Sequence, residues 1–433
     1  MNTGHPDRAA IEAGQLAALR AMIGALVQRN QFYTRKWQGC GLSDTLTGLN
    51  DFFARAPFTL KQEIVDDQRA HPPYGTDLTY PLERYTRFNQ TSGTTGVPIR
   101  WLDTPESWSW MVENWVRVLR AADVAPGARL FFAFSFGPFL GFWTAFEAGA
   151  RLGCMCLPGG GMSSTARLRV MLDNGVSVLC CTPTYALRLG EVAAEEGIEL
   201  RGVRTIIAAG EPGASIPGTR ERIERMWPGA RLHDHHGMTE VGPVTFECPE
   251  RRGVLHVMEN GYIPEVVTPA TGAHVQPGET GELVLTNLGR VGSPLIRYRT
   301  GDIVKRAAEE RCACGRYELA LEGGILGRAD DMVVIRGVNL HPGAFEEVIR
   351  RFDSVAEYRV ENHADRALPE LKVQLEPVAG CADPVALGSA VEAALRAAFN
   401  LRVPVSVVPP GALPRFELKA KRWVRVETGG TSG

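Results

Sequence analysis

Thr91-Ser92-Gly93-Thr94-Thr95-Gly96 is the stretch on which the reading of this chain turns. Four hydroxyl side chains and two glycines stand between Arg87-Phe88-Asn89-Gln90 and Val97-Pro98-Ile99-Arg100-Trp101, a composition that cannot pack as core. Glycine lets backbone N–H groups converge with no Cβ in the way, and the hydroxyls add uncharged donors, so the loop suits a chain of phosphates. It lacks the Lys-Ser/Thr ending of the P-loop pattern, which excludes a Walker-type NTPase. Taken alone, the same six residues would serve as a polar hairpin turn.

The bulk properties limit what such a loop can belong to. With 433 residues the chain exceeds one ordinary core, which predicts about two or three domains. Lys plus Arg number 47 against 49 Asp plus Glu, a net charge of -2. That balance leaves no basic footprint for nucleic acid and makes small molecules the expected partners. The start, Met1-Asn2-Thr3-Gly4-His5-Pro6-Asp7, has no apolar signal core, so a cytoplasmic location is expected. The most apolar segment, Leu130 to Ala148, is interrupted by Ser135, Gly137-Pro138 and Gly141 and carries Glu147, which argues against a membrane span. Nine cysteines, an odd number, read as thiols or metal ligands and not as a disulfide framework.

Residues 8–29 place Leu16, Leu19, Ile23, Leu26 and Val27 on one helical face. Thr59-Leu60-Lys61-Gln62 reads as a capping box, with Thr59 as the cap and Gln62 reaching back. Glu106 to Ala121 follows as a second amphipathic helix, and Leu130–Phe134 as a buried strand. From residue 151 short apolar runs alternate with helical patterns: strands at 176–181, 205–209 and 231–234, helices at 185–196 and 219–226. That alternation predicts a layered, mostly parallel sheet, whose ligands bind beyond the carboxyl ends of its strands. Two polar clusters sit there, Gly210-Glu211-Pro212 and His235-His236-Gly237-Met238-Thr239-Glu240. A carboxylate near a phosphate loop is useful with a cation between them, so Glu240 is the candidate magnesium ligand, with the Thr239 hydroxyl toward phosphate. Asp302, at the entrance of an apolar strand, is suited to the two hydroxyls of a ribose. Residues 281–302 have the texture of antiparallel strands.

Six ordered blocks, TSGTTGVP, AAGEP, HHGMTE, PLIRYRTGD, GRADDM-VVIRGVN and LPRFELKAKR, resemble those of adenylate-forming enzymes of the acyl-CoA synthetase type, most of all the phenylacetate–CoA ligase family. The resemblance spans residues 30 to 425. It implies an α/β adenylate-forming enzyme fold: a large layered N-terminal domain over 1–328 with mostly parallel sheets and a β-subdomain, and a small, mobile α+β domain over 329–433. Patterning across 332–409 gives strand, helix, two strands, helix and strand, a βαββαβ ferredoxin-like order. By resemblance, Ser92, Gly93, Thr94, Thr95 and Gly96 hold the ATP phosphates, Gly210, Glu211 and Pro212 flank adenine, and His235, His236 and Gly237 border the nucleotide. Asp302 takes the ribose, Thr239 and Glu240 the α-phosphate and magnesium, Arg328 and Asp330 form the hinge, and Lys419 is the catalytic lysine. His236 replaces the family's tyrosine, and Leu418 the glycine before that lysine.

The function this implies is ATP-dependent activation of an aryl or arylacetic acid as an acyl-adenylate, followed by transfer to coenzyme A, in an expected homodimer. Transfer to a carrier protein or an amine, adenylation of a cofactor, and a non-catalytic nucleotide-binding regulator are the alternatives. Phe136, Phe139 and Phe142, with the small residues Gly159, Gly160 and Gly161, are expected to wall a flat slot for a ring. Cys248, His256, Cys312 and Cys314 form C-x7-H and C-A-C-G-R segments, a donor set suited to a closed tetrahedral zinc site.

Overall fold

A computed structural model describes residues 4–27, 29–91, 98–329, 331, 333–335, 338–363, 370–416 and 420–426. Its centre is a five-stranded, all-parallel sheet in the spatial order Met155–Pro158, Arg129–Phe132, Val178–Cys181, Thr205–Ala209, Arg231–His235. All four residues of Val178–Cys181 are buried, as expected of a parallel strand covered on both faces, and such strands read in sequence as unbroken apolar runs. Helices Trp143–Arg151, Ser164–Asp173, Pro183–Glu195 and Pro217–Met226 make the crossovers. Two cores result. One gathers Phe131, Leu179, Ile206 and Trp227 with the second, third and fourth crossover helices; the other joins Phe132, Cys180 and Ile207 to helix Pro105–Ala121 and the N-terminal helices.

Helix Arg8–Leu26 is apolar and long enough to cross a membrane by those measures alone, yet it lays Leu19, Met22, Ile23 and Leu26 into the main core. Val27, expected on that face, falls past the helix end and is exposed. The capping expectation at 59–62 is corrected. Helix Lys61–Ala70 takes Leu60 as its N-cap, with Glu63 accepting the Leu60 N–H at 2.7 Å. Thr59 instead donates its hydroxyl to the Ile296 carbonyl, because a short bridge to Tyr298 has already drawn it into the neighbouring sheet. That sheet is antiparallel and six-stranded, in the order Thr245–Glu247, Val254–Val257, Ala320–Arg328, Tyr298–Arg306, Thr280–Asn287, Tyr262–Val267.

The C-terminal region has its own core of Phe345, Val360, Val373 and Leu395 among others. Its helices Pro342–Ile349 and Pro384–Phe399 and its strands follow the expected order in sequence. The pairing differs from a ferredoxin-like sheet. Val333–Ile335 pairs antiparallel with Val338–Leu340 and stands apart from the larger sheet. The four-stranded sheet runs Val405–Val407, Glu370–Pro377, Val355–His363, Trp423–Arg425, so a strand beyond the basic run occupies the remaining edge.

Gly159, just past an outer strand of the parallel sheet, donates its N–H to the Phe132 carbonyl at 2.9 Å. A Cβ there would lie 2.6 Å from the Phe131 ring and 2.8 Å from that carbonyl oxygen. Gly159→Ala is expected to cost about 1–3 kcal/mol of stability through overpacking. Denaturant unfolding should show a lowered midpoint, and an unchanged midpoint would refute the close contact.

Candidate active site

Strands Thr205–Ala209 and Arg231–His235 are in register, Ala209 beside His235, so the chain segments that follow them leave the sheet side by side. Gly210 has φ +98°, a conformation open to glycine at little cost. The Glu211 carboxylate accepts the Thr184 N–H at 2.9 Å and the Ala420 N–H at 2.8 Å, so its oxygens are turned to the backbone of a helix and of the C-terminal segment. His235 points inward. Its Nδ1 is 2.6 Å from the Thr245 carbonyl, its ring is 4.2 Å from Trp115, and burial pushes the imidazole down to about 3, leaving it neutral.

His236, the next residue, faces the other way. Its N–H binds the Thr245 hydroxyl, and its Nε2 lies 3.2 Å from Asp302 Oδ2. Asp302 pairs across the antiparallel sheet with Arg328, whose guanidinium is 3.1 Å from Oδ1. Burial alone would raise the Asp302 carboxyl, but His236 and Arg328 hold it below its ordinary value, so it stays an anionic acceptor. Asp302, His236 and Arg328 thus form one cluster.

Glu240 is buried, with Lys61 Nζ 3.3 Å from its Oε1; Thr239, half-buried, precedes it. The turn that carries them is held from behind. Arg290, wholly buried, donates from one nitrogen to the carbonyls of Thr239 and Glu240, each at 2.8 Å, and clasps Asp103 at 2.6 and 2.7 Å. Asp103 ends the strand Arg100–Asp103 that leads out of the hydroxyl-rich loop. Ser92, Gly93, Thr94, Thr95 and Gly96 themselves, with Asp330 and Lys419, lie outside the described residues. The strands flanking the loop are paired, Gln90 with Arg100, and Thr91 donates its N–H to the Ile99 carbonyl at 2.9 Å. Gln90 also donates its N–H to the Pro138 carbonyl at 2.6 Å, which fastens the hairpin to the aromatic loop.

In that loop Phe134 is the hub: Phe136, Phe139 and Phe142 stand 4.9, 5.2 and 5.7 Å from it, ring to ring. Phe142 is buried against Trp115, whereas Phe136 and Phe139 are half-buried. Gly160 lies beside the Phe136 ring, and Gly159 is packed on Phe131 as described above.

A second cluster forms where Val254–Val257 meets the loop before Ala320. The ligand atoms of Cys248, His256, Cys312 and Cys314 all lie within 4.8 Å of one another, with Cys248 and Cys312 Sγ atoms 3.7 Å apart and Cys314 Sγ 3.4 Å from His256 Nε2. Around tetrahedral zinc, with Zn–S near 2.3 Å, ligand atoms stand roughly 3.5–3.8 Å apart, so the donor set fits. Burial pushes the His256 imidazole down to about 4, and its Nδ1 faces the Glu318 carbonyl at 3.2 Å, which leaves Nε2 with a lone pair for a metal.

The sequence carried no sign of Asp103, Arg290 or Lys61, for a pair separated by 187 residues has no spacing to read. It also missed the contacts across which the C-terminal region meets the parallel-sheet body. Arg222 donates to the Val355 carbonyl at 2.6 Å, Arg225 pairs with Asp353, and Arg422 lies 3.5 Å from the Thr184 hydroxyl. Arg422 is also part of a buried group with Glu346, Arg350 and Glu357; burial alone would raise Glu346, but Arg422 and Arg350 hold it down at about 2.

The AMP-binding enzyme family matches residues 88–289, and the AMP-binding enzyme C-terminal domain residues 337–425. A phenylacetate-coenzyme A ligase of Thermus thermophilus is 31% identical over 95% of this chain and 95% of its own, and one of Escherichia coli 30% identical over 84% and 82%. Among solved structures, a 2-hydroxyisobutyryl-CoA ligase in its postadenylation state superposes with a TM-score of 0.92 at 27% identity, covering 98% of this chain and 91% of that one. The same ligase in its thioesterification state gives 0.72 at 28% identity, covering 97% and 91%.

Arg290→Met would leave the Asp103 carboxylate buried without its partner and free two carbonyls of the Thr239–Glu240 turn. The expected loss is about 3–5 kcal/mol of stability, read by chemical denaturation. A variant as stable as the parent would show that the pair does not hold the turn.

Proposed function

We propose, on the premise that this chain belongs to the phenylacetate–CoA ligase family of adenylate-forming, AMP-binding enzymes, that it activates an aryl or arylacetic acid with ATP and passes the acyl group to coenzyme A. One observation carries the reading. At the carboxyl ends of the parallel strands, an anionic Asp302 bracketed by His236 and Arg328 stands with the Gly210 turn and the buried Glu240, on the side where the hydroxyl-rich hairpin is anchored. A carboxylate is a poor electrophile at neutral pH. Its oxygen attacks the α-phosphorus of ATP, the bond to the bridging oxygen breaks, and pyrophosphate leaves with that electron pair. The thiolate of coenzyme A then attacks the acyl carbon, and AMP departs.

Two anions must meet in the first step, so fixed positive charge and oriented donors are what the site has to supply. Asp302 accepts the ribose hydroxyls, the Ser92–Gly96 backbone and hydroxyls take the phosphates, Thr239 donates to the α-phosphate, and Lys419 offsets the charge that develops there. Glu240 holds magnesium; Lys61 already occupies a cation's place beside it. Magnesium, when bound, lowers the repulsion between the two anions. Phe136 and Phe139, half-buried against Phe134, are the aromatic wall that favours a planar acid. Cys248, His256, Cys312 and Cys314 hold a structural zinc that ties the loop before Ala320 to the sheet. A cytoplasmic location accords with nine unpaired cysteines.

Pyrophosphate exchange across a panel of acids tests the reaction and its substrate together. Benzoates, phenylacetates or heteroaryl acids should support exchange better than acetate or palmitate, and coenzyme A should accept the acyl group of the best acid. Lys419→Ala should slow adenylate formation by two to four orders of magnitude, about 3–5 kcal/mol, while thioester formation from supplied adenylate survives. Palmitate as the best acid would overturn the substrate class, and equal loss in both half-reactions the role of Lys419.

Elemental analysis of the purified protein should give about one zinc per chain. Cys312→Ser should release it and lower the melting temperature. A folded, active preparation free of metal would sink the zinc assignment.

A further inference from the structure

Glu211 was expected at the adenine edge, but its carboxylate is used elsewhere. Oε1 takes the N–H of Thr184, in the first turn of helix Pro183–Glu195, and Oε2 takes the N–H of Ala420, the residue after Lys419 in the chain. One acceptor therefore joins the large body to the C-terminal segment. We propose that Glu211 is a positioning residue of the adenylation half-reaction: a carboxylate latch that holds the Ala420 backbone against that helix, and that must open for the thioester step. The proposal rests on the two-step reaction above.

The chemistry suits a carboxylate and nothing close to it. Two backbone N–H groups from different directions need an acceptor with two oxygens and no proton of its own, and the helix N-terminus favours its negative charge. A glutamine would turn its NH2 toward one of the donors. Aspartate, one methylene shorter, would not span them. Because donor and acceptor sit on different bodies, the contact cannot outlast their separation. The contrast in fit is of the same sense: the chain superposes at 0.92 on the postadenylation state of the 2-hydroxyisobutyryl-CoA ligase and at 0.72 on its thioesterification state.

Gly218 marks the same docked arrangement from a second place. It lies in the first turn of helix Pro217–Met226, and a Cβ on it would come within 3.1 Å of the Arg350 carbonyl carbon and oxygen. The two bodies approach there by backbone. A larger side chain would act as a wedge on the docked arrangement while leaving the ring-binding loop and the nucleotide cluster untouched.

The two half-reactions are measured separately for the wild type, Glu211→Gln and Gly218→Val, alongside the distance between donor and acceptor dyes placed on the two bodies. Glu211→Gln should lower the kcat of pyrophosphate exchange by about 10- to 100-fold, the effect of losing a charge-assisted hydrogen bond, with the KM for ATP within about twofold. Thioester formation from supplied adenylate should match the wild type, and the distance distribution should shift toward longer separations. Gly218→Val should give the same signature. A raised KM for ATP with kcat retained would return Glu211 to the adenine edge and overturn the latch, as would equal losses in both half-reactions or an unchanged distance distribution. If the wild type exchanges pyrophosphate with no acid, the reaction falls, while the distances still decide whether Glu211 holds the two bodies together.

Discussion

The buried pair of Asp103 and Arg290 is the constraint on which the site depends. A guanidinium wholly out of water must satisfy its donors, and this one does so with two carboxylate oxygens and two main-chain carbonyls, while its Cζ stands over the Trp101 ring, 5.4 Å from the ring centre. The planar fork fixes direction as well as distance. The strand leaving the hydroxyl-rich loop and the turn carrying Thr239 and Glu240 therefore cannot shift independently. Most of the surrounding geometry follows from this coupling: the hairpin is pinned at Asp103, its other strand at Pro138, and the carboxylate turn at Arg290.

What the sequence disclosed and what it hid divide along physical lines. Inner strands such as Val178–Cys181 were legible because burial on both faces imposes a continuous apolar run, and Thr205–Ala209 has the ends expected of it, whereas the half-exposed outer strand Met155–Pro158 is under no such constraint. Clusters at the ends of those strands were legible because polar residues in such places have few structural uses. Thr59 was misread because its hydroxyl had a partner 237 residues away, and local capping geometry says nothing of that. Trp423–Arg425 was missed as a strand because a short edge next to a basic run carries no alternation to detect. The set Cys248, His256, Cys312 and Cys314 could be read as metal-binding, since few other roles bring a histidine and three thiols together, but its closure within 4.8 Å belongs to the fold.

The aromatic loop shows how composition can understate division of labour. Phe134, Phe136, Phe139 and Phe142 look equivalent in a list of residues. In space Phe142 fills core against Trp115 and Phe132, whereas Phe136 and Phe139 keep part of their surface free. Gly141 is what allows it: at φ +41° it turns the chain above the Phe134 ring, where a Cβ would come within 2.1 Å of ring carbon. The glycine makes the hub possible.

The group formed by Glu346, Arg350, Glu357 and Arg422 has two positive and two negative members, all from the C-terminal region. It lies against helix Pro183–Glu195 while its ion pairs are internal, so a body that leaves that face takes its counter-charges with it. Within this group of four no net charge is uncovered. Salt at physiological strength, which screens exposed charges over about 8 Å, would therefore have little purchase on this part of the contact. The pairs that cross the seam, Arg225 with Asp353 and Arg415 with Glu191, are what added electrolyte would loosen.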